Sequence, residues 1–352
     1  MKILAIDTSC DDTCVSIIKI QNPKSKIQNF EIVSNEISSQ VKLHAKYGGV
    51  YPFLAKREHI KNLPHVFKQA TKDIRLSEID FIAVTVGPGL EPCLWQGINF
   101  AKDLSKKLNK PLIAVNHIEA HILANFIGEK PENQETRKIE TIFPAICLVV
   151  SGGHTQLILM RGIGKYKLIG ETRDDAAGEC FDKAARILGL GYPGGPAIAK
   201  IAAQRIKGSR TSIILPRPMI HQKNYDFSFS GLKTAVLYKI RSTKSEDLKK
   251  KEFISSMCKE VQQAIIDVLI KKTIKAIKDY RAKSIILGGG VAANEELRKQ
   301  FKEKIKKEIP DTRYLIPDTK YCTDNAAMIG VVAFFHQKDI KKDIEAKANL
   351  RI

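Results

Sequence analysis

The residues best equipped for chemistry in this chain are two histidines. His117 and His121 stand four positions apart in "NHIEAHIL", with Glu119 between them. On an α-helix that separation rotates a side chain by about 40°, so both imidazoles share a face and one metal ion can take both. Glu119 lies about 200° from His117 and points away. The zincin arrangement H-E-x-x-H sets its general base directly after the first histidine; here Ile118 occupies that place. Spacing alone therefore leaves metal ligands and buried structural histidines equally open. "YCTDNAAMIG" offers a third ligand, Asp324, ahead of an apolar run of small residues. An aspartate flanked by Thr323 and Asn325 also reads as a helix N-cap. Two histidines and one aspartate leave coordination positions open, the pattern of a catalytic or substrate-binding divalent ion, Fe or Zn.

Three tight turns carry a second kind of chemistry. "DTSCDDT" (Asp7 to Thr13), "SGGHTQ" (Ser151 to Gln156) and "LGGGVAAN" (Leu287 to Asn294) each follow an apolar run. Backbone N–H groups in such turns form anion-binding nests suited to nucleotide phosphates. Each turn singly is weak evidence, because tight turns need glycine anyway. "DDAAGECFDKAARILGLGYPGGPAIAK" (Asp174 to Lys200) reads as helix, turn, helix. In a functional reading, Asp182 accepts hydrogen bonds from ribose hydroxyls and Gly195 admits close approach of a ligand; in the plain one, these are surface charges and a turn.

The elements that must position these residues alternate. "KILAID", "FIAVTV", "PLIAVN", "AICLVV" and "KSIILG" read as buried strands, and regions near 54–73, 95–109, 179–207, 246–279 and 292–307 as helices. Such interleaving predicts an α/β protein with largely covered sheets. A polar stretch at 128–141 reads as a linker between residues 1–127 and 142–322, with a helix near 323–340 returning to the first part. Both parts open alike, as strand, short polar or Gly-rich turn, and strand, which points to duplication. Two hairpin-led α/β halves resemble the actin/Hsp70/sugar-kinase superfamily, in which the two hairpin tips meet the phosphates of a nucleotide.

Composition narrows the function classes. The chain has 352 residues, enough for a large core without disulfides, and its seven cysteines are scattered with no C-x-x-C. No signal peptide is visible and the longest apolar runs are too short for a bilayer, so the expectation is a soluble, cytoplasmic protein. Formal charge is +20. Residues 201–250 hold eleven Lys/Arg against three acids, so +8 of that total sits in one window, as suits a polyanion such as nucleic acid.

Taken together, "DTSCDDT", "QVKLHAKYGGVYPFLAKREH", "GPGL", "NHIEAH", "VSGGHTQL", "DDAAGECFDKAARILGLGYPGGP", "FSFSGLKT", "GGGVAAN" and "CTDNAAMIG" closely resemble one family. It is the tRNA threonylcarbamoyladenosine transferase family, TsaD in bacteria, once described as the Gcp O-sialoglycoprotein endopeptidases. The resemblance implies a two-lobed actin-like fold of the ribonuclease H-like type. It also implies transfer of threonylcarbamoyl from threonylcarbamoyl-adenylate to N6 of the adenosine 3′ of the anticodon, in tRNAs reading codons that begin with A. It implies His117, His121 and Asp324 as ligands of one divalent ion. Val149, Val150, Ser151, Gly152, Gly153, Asp182, Gly195 and Asn294 would bind the adenylate, and Asp11 would be required for activity. The implied partners are tRNA, a TsaB-like paralogue joined through the N-terminal lobe, and a TsaE-like ATPase. Two departures stand out: Asp7 where the family more often has glutamate, and "EPCLWQG" after "GPGL", read as an unusual loop over Glu91–Gln96. The rival readings are a metal-dependent peptidase, an actin-like ATPase and an inactive binding subunit.

Overall fold

The structure is a computed structural model, and it describes residues 1–21, 29–128, 139–204, 213–248, 250–340 and 343–352. The described elements, in chain order, are β1 (Lys2–Asp7), β2 (Asp12–Ile20), β3 (Phe30–Ser39), α1 (Val41–His44), α2 (Pro52–Ala70), β4 (Phe81–Gly87), α3 (Glu91–Leu108), β5 (Leu112–Asn116) and α4 (His117–Leu123). They continue with β6 (Ala145–Val150), β7 (Thr155–Gly162), β8 (Lys165–Glu171), α5 (Ala177–Ile187), α6 (Gly194–Ala202), α7 (Ser230–Arg241), α8 (Ser245–Leu248), α9 (Lys251–Tyr280), β9 (Ser284–Gly288), α10 (Glu295–Glu308), β10 (Arg313–Leu315) and α11 (Ala326–Phe335). The chain forms two compact units, Met1–Ile142 with Pro317–Ile352, and Phe143–Ile316.

The first unit is built on a sheet of order β3-β2-β1-β4-β5. β1 and β2 form an antiparallel hairpin, β3 extends it, and β4 and β5 run parallel to β1. Parallel neighbours need a crossover, and α2 and α3 supply the helices. The second unit repeats this plan: β8-β7-β6 is antiparallel, and β9 and β10 follow in parallel on the other side of β6. Two hairpin-led sheets of one topology are what the paired sequence openings predict. β1 and β6 are buried on both faces, which is why "KILAID" and "AICLVV" are apolar nearly throughout.

α11 decides the position of Asp324. Its sequence AAMIGVVAFF is apolar all round, so the helix must be covered on every side. It packs on β1, β2 and α4 of the first unit. A Cβ on Gly330 would stand 2.9 Å from Ile18 Cδ1, which shows how near the helix lies to β2.

One expectation needs correction. The Glu91–Gln96 stretch is no loop but the first turns of α3. Glu91 meets the positive helix end and Pro92 sits where its missing N–H costs nothing, so both residues start a helix. The Asp174–Lys200 stretch is helix, turn, helix, as its sequence reads. Gly189, at φ +70°, ends α5, and α6 begins only after Pro193. Among the described residues no helix is long and apolar enough to cross a membrane.

Candidate metal centre

Asn116 at the end of β5 starts the histidine helix. Its Oδ1 accepts from the N–H groups of Ile118 at 2.8 Å and Glu119 at 3.2 Å, an N-cap that makes His117 the first residue of α4. His121 follows one turn later on the same face. Their Nε2 atoms lie 3.1 Å apart. Asp324 Oδ1 is 3.5 Å from His117 Nε2 and 3.4 Å from His121 Nε2. The competing role for Asp324, capping α11, belongs to Asn325, whose side chain accepts from Met328 N–H at 3.1 Å. The Asp324 carboxylate is thus left to face the histidines, with the Ser9 hydroxyl donating to its Oδ2 at 3.4 Å.

This donor set fits a divalent ion. Ligands about 2.0–2.1 Å from a tetrahedral centre are about 3.3 Å from one another, and the three separations here bracket that value. His117, His121 and Asp324 form the group able to hold a metal among the described residues.

Electrostatics support the same grouping. Burial works against a charged His117, but Asp324 and Asp7 outweigh it and hold the pKa up at about 9. Burial and the neighbouring His117 push His121 down. Burial also resists ionisation of Asp324, yet His117 and His121 keep its carboxyl well below the ordinary range. Buried polar atoms that lack hydrogen-bond partners surround the triad: Nδ1 of both histidines and Oδ2 of Asp7 and of Asp11. Asp11 and Asp12, at the β1–β2 tip, are both raised chiefly by burial, Asp12 to about 7.

Glu119 takes no part in this group. Its Oε1 accepts from His336 Nε2 at 2.9 Å, and His336 Nδ1 donates to Asp339 Oδ2 at 3.0 Å. The hydrogen bond to Glu119 is the main reason the His336 pKa rises to about 9. Glu119→Ala should leave acyl transfer within about threefold of wild type while lowering stability by about 1–2 kcal/mol through the lost charged hydrogen bond. Steady-state transfer rates and urea unfolding check the two halves separately; a collapse of transfer in a folded variant would return Glu119 to the chemistry.

Several contributors escaped sequence reading. Asp7, fully buried at the end of β1, puts Oδ2 3.6 Å from His117 Nδ1. His59 joins the hairpin tip to α2, with Nδ1 bonded to the Thr13 hydroxyl at 2.8 Å and Nε2 to the Cys10 carbonyl at 3.0 Å. Neither residue was given a role in the sequence, because only the folded chain brings Asp7 to His117 and His59 to the hairpin tip.

In the second unit the Gly-rich turns converge. The β6–β7 tip closes on itself, with Ser151 N–H donating to His154 O at 2.8 Å and His154 N–H to Ser151 Oγ at 3.1 Å. Gly178 N–H at the start of α5 donates to Ser151 O at 3.1 Å, and a Cβ on Gly178 would stand 2.5 Å from that oxygen. From the third turn, Gly289 (φ +88°) approaches so closely that a Cβ would lie 2.4 Å from Val150 O. Asp182 Oδ1 accepts from Gly194 N–H at 2.6 Å, so this residue caps α6, and burial raises its pKa. Asn294 likewise caps α10 through Leu297 N–H at 3.0 Å and donates to Gln262 Oε1 at 2.9 Å. A Cβ on Gly195 would meet only Phe181 Cβ, at 3.9 Å, and none would touch one on Gly152 or Gly153 within 4 Å. Packing inside the unit therefore requires glycine at 178 and 289 but not at these three positions. Gly289→Ala should destabilise the protein by about 3 kcal/mol, from both the left-handed backbone and the clash. An unchanged urea midpoint would mean that the turn relaxes freely.

Comparison with known proteins agrees with these features. The family model described as TsaD, tRNA N6-adenosine threonylcarbamoyltransferase, matches residues 31–331. The chain is similar to the tRNA N6-adenosine threonylcarbamoyltransferase of Thermosipho africanus (strain TCF52B), 45% identical over 360 residues and covering 100% of both chains. It is also similar to the enzyme of that name from Syntrophomonas wolfei subsp. wolfei, 46% identical over 336 residues, covering 95% of this chain and 92% of the relative. Among solved structures, component A of (R)-2-hydroxyglutaryl-CoA dehydratase from Acidaminococcus fermentans superposes with TM-score 0.52 at 14% identity, over 96% of this chain and 99% of that one. That likeness concerns the fold alone, which is the two-lobed actin-like α/β architecture. With a family model over most of its length and relatives near 45% identity end to end, the chain belongs to the TsaD family of tRNA N6-adenosine threonylcarbamoyltransferases.

Proposed function

We propose that His117, His121 and Asp324 hold one divalent ion, Fe or Zn, that serves this acyl transfer. The observation that carries the reading is the convergence of two Nε2 atoms and a carboxylate oxygen, with the capping duty of Asp324 taken over by Asn325. Bound there, the ion supplies Lewis acidity toward the carboxylate or carbonyl of the threonylcarbamoyl group. In the second unit, Val149, Val150, Ser151, Gly152, Gly153, Asp182, Gly195 and Asn294 bind the adenylate. The glycines that packing leaves unexplained support that assignment. The adenine N6 attacks the carbamoyl carbon, the carbon–oxygen bond to phosphate breaks, and AMP leaves with the electron pair. Asp11, whose Oδ2 is buried without a partner, accepts the proton that N6 loses. Because AMP is the leaving group, no nucleophilic side chain is needed.

The reading carries further assignments. A TsaB-like paralogue joins through the first unit, a TsaE-like ATPase resets the complex, and the protein works in the cytoplasm; family resemblance supports all three. A peptidase reading fails on Ile118 and on the pairing of Glu119 with His336. An inactive binding subunit would have no use for the intact triad.

The decisive experiment is reconstitution. Purified protein with its two partners, ATP, bicarbonate, threonine, the adenylate-forming enzyme and a tRNA reading an A-starting codon should place labelled threonine on the tRNA. Failure under conditions where a bacterial counterpart succeeds would defeat the assignment for this chain.

The basic window also yields a prediction. Arg205, Lys207, Arg210 and Lys249 lie outside the described residues. Within the rest, Arg217 is paired with Glu260 and Asp267, and Lys250 with Asp247. Lys239 and Arg241 are exposed in the last turn of α7 beside exposed Tyr238, the better candidates for phosphates. Reversing both charges should flatten the salt dependence of tRNA binding by about 0.9 log units per lost contact if the backbone there is duplex-like. An unchanged slope moves the tRNA footprint elsewhere.

A further inference from the structure

Two buried orphan atoms face each other behind the triad. Asp7 is fully buried at the end of β1, and its Oδ1 already accepts from Ser9 N–H at 3.1 Å. Among the described residues its Oδ2 has no hydrogen-bond partner. His117 Nδ1, on the side of the ring away from Asp324, has none either. They stand 3.6 Å apart, a few tenths of an ångström beyond hydrogen-bond reach.

The chemistry of a ligating histidine makes this pair more than coincidence. For Nε2 to offer a lone pair to an ion held between it, His121 and Asp324, the remaining proton must sit on Nδ1. A buried N–H without an acceptor is costly, and a carboxylate is the acceptor that also raises the basicity of the ligating nitrogen. Among the described residues His121 Nδ1 is equally unpartnered, and no carboxylate is paired with it as Asp7 is with His117 Nδ1. The two ligands are therefore unequal.

We propose that Asp7 is a positioning residue for the metal centre: its Oδ2 accepts from His117 Nδ1–H, fixes the ring and its tautomer, and makes His117 the stronger of the two imidazole ligands. Asp7 does this from β1, the central strand of the first sheet, whose backbone is paired on both sides. Ser9 N–H holds the other oxygen, so the carboxylate cannot swing away without losing that bond. The inference rests on the triad holding a metal.

Co2+ serves as the probe. Affinity is measured by chelator competition on the full chain, the visible spectrum reports the ligand field, and unfolding of metal-free protein reports any purely structural effect. Asp7→Asn, which keeps the shape and loses the charge, should bind Co2+ about tenfold more weakly, and Asp7→Ala about 10–100-fold more weakly. Asp7→Glu retains a carboxylate and should stay within about threefold of wild type. The Asn variant should also shift the Co2+ spectrum, which a structural role would not do. Ring-nitrogen NMR of wild type loaded with Zn2+ needs no variant: it should show His117 protonated at Nδ1. Wild-type affinity and spectrum in folded Asp7→Asn, or a deprotonated Nδ1 in the wild type, would overturn the proposal. A wild type that binds no Co2+ would instead remove the metal reading itself, and this inference with it.

Discussion

His117→Ala, His121→Ala and Asp324→Ala should each purify without a stoichiometric divalent ion and transfer labelled threonine at least about a thousandfold more slowly than wild type. A thousandfold is about 4 kcal/mol of transition-state stabilisation, the scale of a polarising ion. Three ligands are few, so losing one leaves two and an unfavourable site. The fold should survive. α4 keeps its Asn116 cap and α11 its Asn325 cap, and neither depends on the triad. Elemental analysis, circular dichroism and transfer assays on the same preparations separate metal loss from unfolding. Full metal occupancy in His121→Ala would sink the centre as drawn here.

Asp182→Ala should reduce transfer by at least about a hundredfold, with most of the loss in apparent KM for the adenylate. Asp182 has a second role, because its Oδ1 caps α6 at Gly194. Asp182→Asn is therefore the informative companion. An Asn side-chain oxygen still accepts from a backbone N–H, so the cap survives, while the charge that would receive two ribose hydroxyl bonds is gone. A graded series, with wild type above Asn and Asn above Ala, supports nucleotide recognition. Loss of the cap alone costs about 1 kcal/mol of stability. If Asp182→Ala shows that stability loss with an unchanged KM, the residue is structural only.

Much of the architecture was legible because burial writes a simple pattern. Strands covered on both faces must be apolar throughout, and "KILAID", "FIAVTV", "AICLVV" and "KSIILG" stand out for that reason. β3 and β8 were not read: each has a single buried position among half-buried and exposed ones and carries charges, so neither shows the same signal. β10 was missed because only Arg313–Leu315 pair. The Glu91–Gln96 stretch looked like a loop because it follows the GPGL turn and departs from the family pattern there, whereas Glu91 and Pro92 are good first residues of a helix.

The same division runs through the site. The spacing of His117 and His121 by itself determined that both imidazoles would share a helix face and that Glu119 would not, since this follows from the helical repeat. It could not choose between ligands and buried structural histidines. That choice lay with α11, an all-apolar helix that must be wrapped on every side and so carries Asp324, about two hundred residues further along the chain, onto the face of α4. It lay also with the caps: an Asp-Asn pair ahead of a helix offers two candidate capping residues, and only the folded backbone shows that Asn325 takes Met328 N–H and leaves Asp324 to the histidines. Asp7 marks the limit most clearly. Nothing local distinguishes it from any other acid at a strand end, and its place behind His117 exists only because β1 and β5 flank β4 in one sheet.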